Sequence, residues 1–347
     1  MSARRRVTVV GGGLAGLTLG IGLRQRGIPV VVREAGHYPR HRVCGEFISG
    51  RGQDVLARLG LREPFYQAGA VQARTVAFFI GNARSPERLL TPPALCLSRF
   101  RMDALLAEQF RRAGGELHEG DRCEDDGFEE GIVRARGRRA QAEEGGWRWY
   151  GLKVHARNVH LSTDLEMHGG RDSYVGVSQV EDGETNVCGL FRRKVSAHEH
   201  VQPWREALRG TPGSALRERM AEAVFDEASF CAVAALPLRP QRAAGRDECC
   251  IGDALTMTPP VTGNGMSMAF ESAEVALEPL AAWSQGELSW REARQRVAHA
   301  CDTAFSRRLA WAGWLQWMMF APALRWRFGE IVLHSEWLWR TMFARTR

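Results

Sequence analysis

"RVTVVGGGLAGLTLGIGLRQRGIPVVVREA", from Arg6 to Ala35, is the stretch that decides the fold. Val7–Val10 is a short, β-branched apolar run of the kind found in buried parallel strands. A glycine-rich turn follows, then a helix that starts at about Leu14 and ends at Gly27, and Val30–Val32 supplies a second strand. This order predicts a βαβ unit and therefore an α/β, Rossmann-like fold.

The turn after the first strand contains the pattern G-x-G-x-x-G at Gly11, Gly13 and Gly16. The first glycine permits a tight turn, the second lets the backbone approach a pyrophosphate, and the third lets helix and strand pack closely. Leu14 and Ala15 open the helix, whose partly positive end would point at that phosphate. The pattern predicts that a dinucleotide binds here, and an empty Rossmann-like unit is the alternative.

The second strand ends on an acidic residue, Glu34. A carboxylate about 20 residues after the glycines suits a ribose hydroxyl and disfavours a 2′-phosphate. Its position does not separate FAD from NAD.

A second glycine turn lies far downstream, in "IGDALTMTPPVTGNGMSMA" from Ile251 to Ala269. Gly263 and Gly265 flank Asn264, an arrangement that allows a close approach of the backbone. The next stretch is helix-prone, and its N-terminus would be free to face a ligand oxygen. Taken alone, Asp253 and these glycines are equally typical of an Asx turn before a helix.

Four stretches, in order, resemble flavoproteins of the p-hydroxybenzoate hydroxylase and geranylgeranyl reductase superfamily. The resemblance covers residues 5–285. Arg99 and Asp103 match the family's Arg-x-x-apolar-Asp helix start. The four stretches are the N-terminal turn, "HRVCGEFISG" (His41–Gly50), "SRFRMDALLAEQF" (Ser98–Phe110), and the Gly252–Asp253 pair with its glycine turn.

This resemblance implies that FAD is the cofactor, with Asp253 on the ribityl chain and the Pro and Gly turn along the flavin ring. No second G-x-G-x-x-G is present in the sequence, as expected where NAD(P)H binds only transiently as the reductant. The predicted cofactor-binding residues are Gly11, Gly13, Leu14, Ala15, Gly16, Glu34, Arg99, Gly252, Asp253, Pro260, Gly263, Asn264, Gly265 and Met266.

The predicted organisation is a glutathione-reductase-type FAD-binding lobe, a second β-sheet lobe for the substrate, and a helical tail. The FAD-binding lobe takes residues 1–146 and 233–290, the substrate lobe 147–232, and the Trp-rich tail 291–347. In the middle of the chain, Asp182-Gly183 separates two alternating runs and predicts a hairpin.

Three residues are weak candidates for catalysis. Lys153 and His155 share one face of a predicted strand. They would contact a phenolate or a flavin intermediate, or else face solvent on a half-covered sheet, which is the interpretation we favour. The resemblance to prenyl reductases places Cys44 near the substrate side of the flavin, and an ordinary packed cysteine is the alternative.

The resemblance is interrupted at residues 138–146, which contain two Ala and no bulky apolar side chain. This segment cannot form the further buried strand that the family has at this point. We therefore expect an incomplete FAD-binding sheet. Nearby, "GGWRWYGL" is similar to the Trp-x-Trp motif of flavin halogenases, but no Ile-Pro follows and no early Lys is present, so halogenation is not expected.

The C-terminal tail is rich in tryptophan. Residues 309–324 are apolar and too short for a membrane span, and Trp311, Trp314 and Trp317 form one stripe of a helix. Three interpretations remain open: packing against the flavin lobe, an interfacial membrane helix spanning 309–339, and a wall for a greasy substrate channel.

Composition narrows the remaining classes. The 347 residues have a net charge of +7 that is almost entirely scattered Arg, since Lys occurs only at Lys153 and Lys194. Neither a basic-aromatic repeat nor a zinc pattern is present, so nucleic acid is not an expected partner. The wide spacing of the eight Cys predicts neither disulfides nor a metal site. The N-terminus is not typical of a secretory signal; we expect a cytoplasmic protein, with the inner membrane face as a peripheral alternative.

The leading functional hypothesis is an NAD(P)H-dependent FAD monooxygenase that hydroxylates a hydrophobic phenolic or polyketide-like molecule. A geranylgeranyl-reductase-like enzyme acting on prenyl double bonds is the second hypothesis. A degenerate FAD-binding accessory protein without catalysis is the third.

Overall fold

The computed structural model describes residues 4–123, 129–138, 145–195, 202–321 and 334–346. The strands are β1 Val7–Val10, β2 Val30–Glu34, β3 Phe47–Ile48, β4 Val71–Ile80, β5 Ala83–Arg84, β6 Arg88–Cys96, β7 Glu116–Glu119, β8 Ile132–Arg134, β9 Trp147–Arg157, β10 Leu165–Gly169, β11 Ser173–Gln179, β12 Thr185–Lys194, β13 Val224–Ala234 and β14 Cys249–Cys250. The helices are α1 Leu14–Gln25, α2 Arg51–Arg58, α3 Arg62–Gln67, α4 Arg99–Arg112, α5 Trp204–Arg209, α6 Ala215–Arg219, α7 Gly265–Gln285, α8 Trp290–Phe320 and α9 Glu336–Arg345.

The first lobe is built on a parallel five-stranded sheet in the order β14-β8-β1-β2-β7. β1, α1 and β2 form the predicted βαβ unit, with Val7 paired to Val30 in parallel register. The structure confirms the predicted α/β fold, in which a Rossmann-like lobe is joined to a second sheet and to C-terminal helices.

Helix α1 packs closely between two other helices because glycines lie at both helix contacts. A Cβ on Gly20 would lie 2.7 Å from the ring of Phe110 in α4, and a Cβ on Gly22 would lie 2.7 Å from Leu277 in α7. Both neighbours belong to one buried apolar core that also contains β1 and β2. This packing fixes the direction of α1, and hence the position of its N-terminus beside the glycine turn.

The second lobe is a nine-stranded mixed sheet in the order β13-β9-β12-β11-β10-β4-β6-β3, with β5 paired to β4. The predicted hairpin joins β11 and β12, and both Asp182 and Gly183 adopt positive φ there (58° and 70°). One face of the sheet is covered by α5 and α6 through Leu208, Leu216 and Met220. The opposite face of β9 therefore turns toward the first lobe.

The structure bears on two predictions about residues 1–146. The segment 1–146 was assigned to the FAD-binding lobe, but β3, β4, β5 and β6 pair within the second sheet, so the chain crosses between lobes earlier than expected. The sequence of residues 138–146 predicted that one strand of the FAD-binding sheet is absent, and residues 139–144 of this segment lie outside the described residues. The first sheet has β14 at its edge, where Cys249 pairs with Val133 of β8 in parallel register.

Helix α8 connects the two lobes. It begins with a capping box at Ser289 and Glu292. Val297 and Phe305 belong to the core of the first lobe, whereas Phe320 packs against Trp149 of the second sheet, with ring centroids 4.7 Å apart. A buried ion pair of Arg308 with Glu271 of α7, at 2.6 Å, fastens the middle of the helix.

Candidate active site

The first glycine turn has the geometry that a phosphate-binding turn needs. Gly11 directly follows β1 and has φ of 111°, and a Cβ there would lie 2.3 Å from the carbonyl oxygen of Ala135. A Cβ on Gly16 would lie 2.0 Å from the carbonyl oxygen of Gly11, so helix and turn touch backbone to backbone. A Cβ on Gly13 would meet nothing within 4 Å. The first and third glycines are thus packed, whereas the second borders open space at the start of α1.

Glu34 is held rigidly at the end of β2. Its carboxylate accepts hydrogen bonds from the backbone N–H of Gly12 (2.8 Å) and of Gly36 (2.9 Å), and Arg40 Nη2 lies 2.5 Å from it. Tyr38 donates its hydroxyl proton to the carbonyl of Gly12. The acid therefore braces the glycine turn directly, and its predicted contact with a ribose remains a prediction.

The second glycine turn also leads into the N-terminus of a helix. Gly263 has φ of 61°, and a Cβ there would lie 2.1 Å from the ring of Phe47. α7 begins at Gly265, where an added Cβ would meet nothing within 4 Å. The side chain of Asn264 points away from this opening and donates to the carbonyl oxygen of Thr346 at 2.7 Å.

Asp253 lies between the two turns, in a one-turn helix that starts at Gly252. Its side chain is accessible, but the surface that it exposes faces a cavity walled by protein. This enclosure raises the pKa of the carboxyl, and the nearby charges of Arg99 and Arg138 act in the opposite direction. A carboxylate in this position is available to hydroxyl groups of a bound ligand.

Arg99 is fixed by the motif that contains it. Its guanidinium donates twice to the fully buried Asp103, at 2.7 and 2.9 Å, and Arg42 donates to the same carboxylate at 3.0 Å. Burial alone would lower the pKa of Arg99, but Asp103 and Cys44 act in the opposite direction and together raise the pKa. Ser98 caps the helix by accepting from the N–H of Arg101 at 3.2 Å.

These elements surround one continuous cavity of about 1010 Å³, the upper end of the size range of cofactor sites. The structure gathers the predicted cofactor-binding residues in its wall, except for Gly16 and Asn264, which lie behind it. Glu34 and Asp253, far apart in sequence, both line it. An extended ligand can therefore reach from one glycine turn to the other.

The wall of this cofactor cavity is basic. Arginines outnumber acids in it, a balance that favours an anionic ligand such as a pyrophosphate. The charged residues are Arg33, Arg40, Arg42, Arg99, Arg122, Arg136 and Arg138 against Glu34, Asp121 and Asp253.

A second, apolar cavity of about 170 Å³ adjoins the first. The two share Phe47, Met167, Tyr174 and Gly263, so they meet at the second glycine turn. Apart from Arg88, the described residues that line the apolar cavity are uncharged, and they are mostly aliphatic, aromatic and Met side chains of β4, β10, α8 and α9.

The C-terminal helices close this apolar cavity. Leu315 and Met318 of α8 and Phe343 of α9 line it, which supports the interpretations of packing and of a channel wall for the inner face of the tail. Trp314 and Trp317 point outward, with exposed fractions of 41% and 60%. Within the described residues, no helix combines the length and the apolar character needed to cross a bilayer. Residues 322–333 of the tail lie outside them, and peripheral membrane contact stays a prediction.

The structure corrects the favoured interpretation of Lys153 and His155. They share one face of β9 as predicted, but they are 0% and 2% exposed instead of facing solvent. The reason is that this face is covered by the segment after β2, whose Glu46 lies 3.3 Å from Lys153 Nζ and 2.7 Å from His155 Nε2. Neither residue lines the cofactor cavity or the apolar cavity. Cys44 does line the cofactor cavity, where burial raises the pKa of its thiol.

The sequence interpretation missed Glu46 and His41. Both lie in "HRVCGEFISG", which was noted for its Cys-Gly pair. His41 lines the cofactor cavity, and Glu46 is fully buried with a positive φ of 58°. A buried carboxylate needs cationic partners, and two polar residues at i and i+2 of one strand were the available signal for it.

Comparisons with known proteins agree with this geometry. Residues 4–145 match the family model described as an FAD binding domain. Rifampicin monooxygenase of Streptomyces venezuelae is 37% identical over 117 residues, which cover 33% of this chain and 24% of that protein. The chain spans about a quarter of the length of the curated relatives that it matches.

Two solved structures show the same fold over most of their length. The flavin-dependent brominase Bmp2 superposes with a TM-score of 0.77 at 18% identity, covering 98% of this chain and 92% of that one. The probable FAD-dependent monooxygenase PqsL of Pseudomonas aeruginosa superposes with a TM-score of 0.69 at 14% identity, covering 94% and 100%. The N-terminal match supports FAD as the cofactor, and the superpositions show that this chain shares the fold of these two proteins.

Proposed function

We propose that the chain is an FAD-dependent monooxygenase that hydroxylates a hydrophobic, phenolic or polyketide-like small molecule, with NAD(P)H as a transient reductant. The observation that favours this function is the apolar cavity that opens onto the cofactor cavity at Gly263. It is supported by the match of residues 4–145 to an FAD binding domain.

FAD fits the residues of the cofactor cavity. The open backbone at Gly13 and the N-terminus of α1 suit its pyrophosphate, and Asp253 suits hydroxyl groups of its ribityl chain. The open backbone at Gly265, at the start of α7, suits the flavin ring. When bound, FAD would accept a hydride from NAD(P)H and activate dioxygen.

The chain's own contribution is to position the substrate and to exclude water. Met318, Phe343 and Phe78 present apolar surface, so a greasy ligand gains free energy by leaving water. Tyr174 and Arg88 would orient a phenolic hydroxyl: Tyr174 borders both cavities, and the Arg88 guanidinium lies over the Trp339 ring at 5.1 Å. A small apolar cavity next to a bound flavin ring would also limit side reactions with water.

Prenyl reduction is the second candidate, since Cys44 borders the cofactor cavity and the neighbouring cavity is apolar. The raised pKa of Cys44 keeps it a neutral thiol, a form that donates a proton. Turnover of a polyprenyl substrate without oxygen, by chemically reduced flavin, would identify this reaction.

The deciding experiment is to purify the protein, record its visible spectrum, release the flavin and identify it. The holoprotein is then incubated with NADH or NADPH, ¹⁸O₂ and a panel of phenols and aromatic polyketides. We expect bound FAD, substrate-stimulated NAD(P)H oxidation, and one ¹⁸O atom in the product.

Each other outcome rejects a distinct part of the proposal. A colourless protein that FAD cannot reconstitute would indicate the accessory protein. NAD(P)H oxidation without ¹⁸O incorporation would reject monooxygenation. Halogenated product, formed only when bromide or chloride is added, would replace hydroxylation with halogenation.

A further inference from the structure

A row of ionisable side chains leads from the cofactor cavity into the second sheet. His41 lines the cavity, and Lys153 Nζ lies 3.2 Å from its Nδ1. Lys153 Nζ lies 3.3 Å from Glu46 Oε1, and Glu46 Oε2 lies 2.7 Å from His155 Nε2. The other ring nitrogen of His155, Nδ1, lies 3.2 Å from Glu184 Oε2. Each group thus touches the next.

The two ends of this row meet different environments. Lys153 and Glu46 in its middle are 0% exposed, whereas the side chain of Glu184 is 24% exposed. Glu184 also pairs with the exposed Arg157 at 3.2 Å. One end therefore opens to the cofactor cavity at His41 and the other to the surface at Glu184.

The hydrogen-bonding roles along the row alternate. An ammonium can only donate, so Lys153 donates to His41 Nδ1 and leaves the proton of neutral His41 on Nε2. Burial and the Lys153 charge lower the pKa of His41 to about 4, in agreement with the neutral form. Each ring nitrogen of His155 faces a carboxylate oxygen, so the ring can accept a proton on one side and donate one on the other. Each group in the row, from Glu184 to His41, is therefore placed to exchange a proton with the next.

The surroundings hold this arrangement in place. Glu46 adopts a left-handed backbone conformation, a strain of about 1–3 kcal/mol that persists only where neighbours enforce it. The N–H of Arg99 donates to Glu46 Oε1 at 2.9 Å, and the N–H of His155 donates to Ser229 at 2.7 Å. Asp226, the pairing partner of His155 on β13, is a further charge near His41.

The same sheet contains a second buried Glu-His pair, which does not lead to either cavity. Glu166 lies 2.9 Å from His168 Nε2 and 3.1 Å from Arg219. His168 Nδ1 is buried and has no hydrogen-bond partner among the described residues, and the ring stacks on Phe79 at 4.5 Å. His168 borders neither cavity. It is a matched control for His155.

We propose that Glu184, His155, Glu46, Lys153 and His41 form a proton relay between solvent and the cofactor cavity. Each transfer breaks an N–H or O–H bond on one member and forms one on the next. One proton taken up at Glu184 thus releases one from His41, and the row regains its net charge. Its use in turnover rests on the proposed function, because hydroxylation by NAD(P)H and O₂ yields alcohol, water and NAD(P)⁺ and consumes one proton.

The relay can be tested without flavin because the chain has only two lysines, Lys153 and Lys194. In protein labelled with ¹⁵N-lysine, the hydrogen-exchange rate of the Lys153 ammonium is measured by NMR. The exposed Lys194 serves as internal reference, and Lys194→Arg assigns the signals. We expect Glu184→Gln and His155→Gln to slow Lys153 exchange by about tenfold, a modest share of what a positioned proton-transfer group contributes.

The controls separate proton transfer from structure. Glu184→Asp keeps a titratable group and should restore exchange, whereas His168→Gln should leave it unchanged. In FAD-loaded protein, proton uptake after photoreduction of the flavin, followed with a pH-indicator dye, should slow in the same two variants.

The possible outcomes decide the relay separately from the monooxygenase. Unchanged Lys153 exchange in folded Glu184→Gln and His155→Gln overturns the relay, whatever the flavin does. Equal slowing in His168→Gln also overturns it, because the effect would then come from general loosening of the sheet. Slowed exchange in a protein that hydroxylates nothing would keep the relay and reject only the proposed reaction.

Discussion

The walls of the two adjoining cavities differ in polarity. The cofactor cavity is large, and arginines, carboxylates and bare glycine backbone form its wall; the apolar cavity is small and lined mostly by aliphatic, aromatic and Met side chains. They meet at Phe47, Met167, Tyr174 and Gly263. The difference teaches that one cavity suits a charged, polar ligand and the other an apolar one.

Because the two cavities differ in polarity, we expect the largest effect on the free energy of unfolding from removing a charge beside the cofactor cavity. Glu46→Gln leaves the buried Lys153 and His155 without their carboxylate. We expect the free energy of unfolding to fall by about 3–5 kcal/mol in urea titrations. Met318→Leu, in the apolar wall, should change it by less than about 1.5 kcal/mol. Equal losses in the two variants would erase the distinction.

A smaller effect is expected from blocking the cofactor cavity without disturbing the core. A side chain in Gly13→Val would enter open space where the pyrophosphate is expected. FAD affinity, measured by fluorescence titration, should fall about a hundredfold, or about 2.7 kcal/mol. Gly313→Val on α8, where an added Cβ also meets nothing within 4 Å, should leave the affinity unchanged. A Gly13→Val protein that binds FAD normally would contradict the site.

Filling the apolar cavity should affect the substrate and spare the cofactor. Leu315→Trp enlarges a side chain in its wall, so we expect kcat/KM to fall about tenfold, as for a misfit in an apolar pocket, with the flavin spectrum retained. Trp314→Leu changes the neighbouring outward residue, which is 41% exposed, and should leave kcat/KM as it is. Loss of FAD from Leu315→Trp would show that the cavities are not separate.

The last prediction concerns pH and His41. Its pKa is lowered to about 4 by burial and by Lys153, whereas an unfolded histidine titrates near 6.5. Between these values the unfolded state binds more protons, so stability falls as pH drops from about 6.5 to 4. His41→Gln should flatten this part of the curve of unfolding free energy against pH. An unchanged slope would show that His41 is not held neutral.

The sequence was sufficient where a local pattern specifies the local geometry. The βαβ unit and the helix after Gly263 follow from strand runs, glycines and helix propensity within short windows. The hairpin at Asp182 follows from turn chemistry in the same way. Asp253 was found through a family motif, because nothing within its own window separates a ligand-binding carboxylate from an Asx turn.

The sequence did not predict features that depend on which segment packs over a face of the sheet. Alternation on β9 correctly placed Lys153 and His155 together, but alternation cannot say which segment packs over them. The covering residue, Glu46, lies 107 positions away from Lys153 in a segment without periodicity. The apolar cavity has the same origin, since it forms only when α8 and α9 close over β4 and β10.

The hydrogen bond from Asn264 to Thr346 connects the second glycine turn to the wall of the apolar cavity. Thr346 borders the apolar cavity, and Asn264 stands between the two glycines of the turn that adjoins the cofactor cavity. If FAD binds with its ring at this turn, as proposed, a substrate that displaces Thr346 would also displace the turn next to the ring. The colour of the bound flavin should then report the arrival of a substrate before any chemistry occurs, so a simple spectral titration can screen candidate substrates.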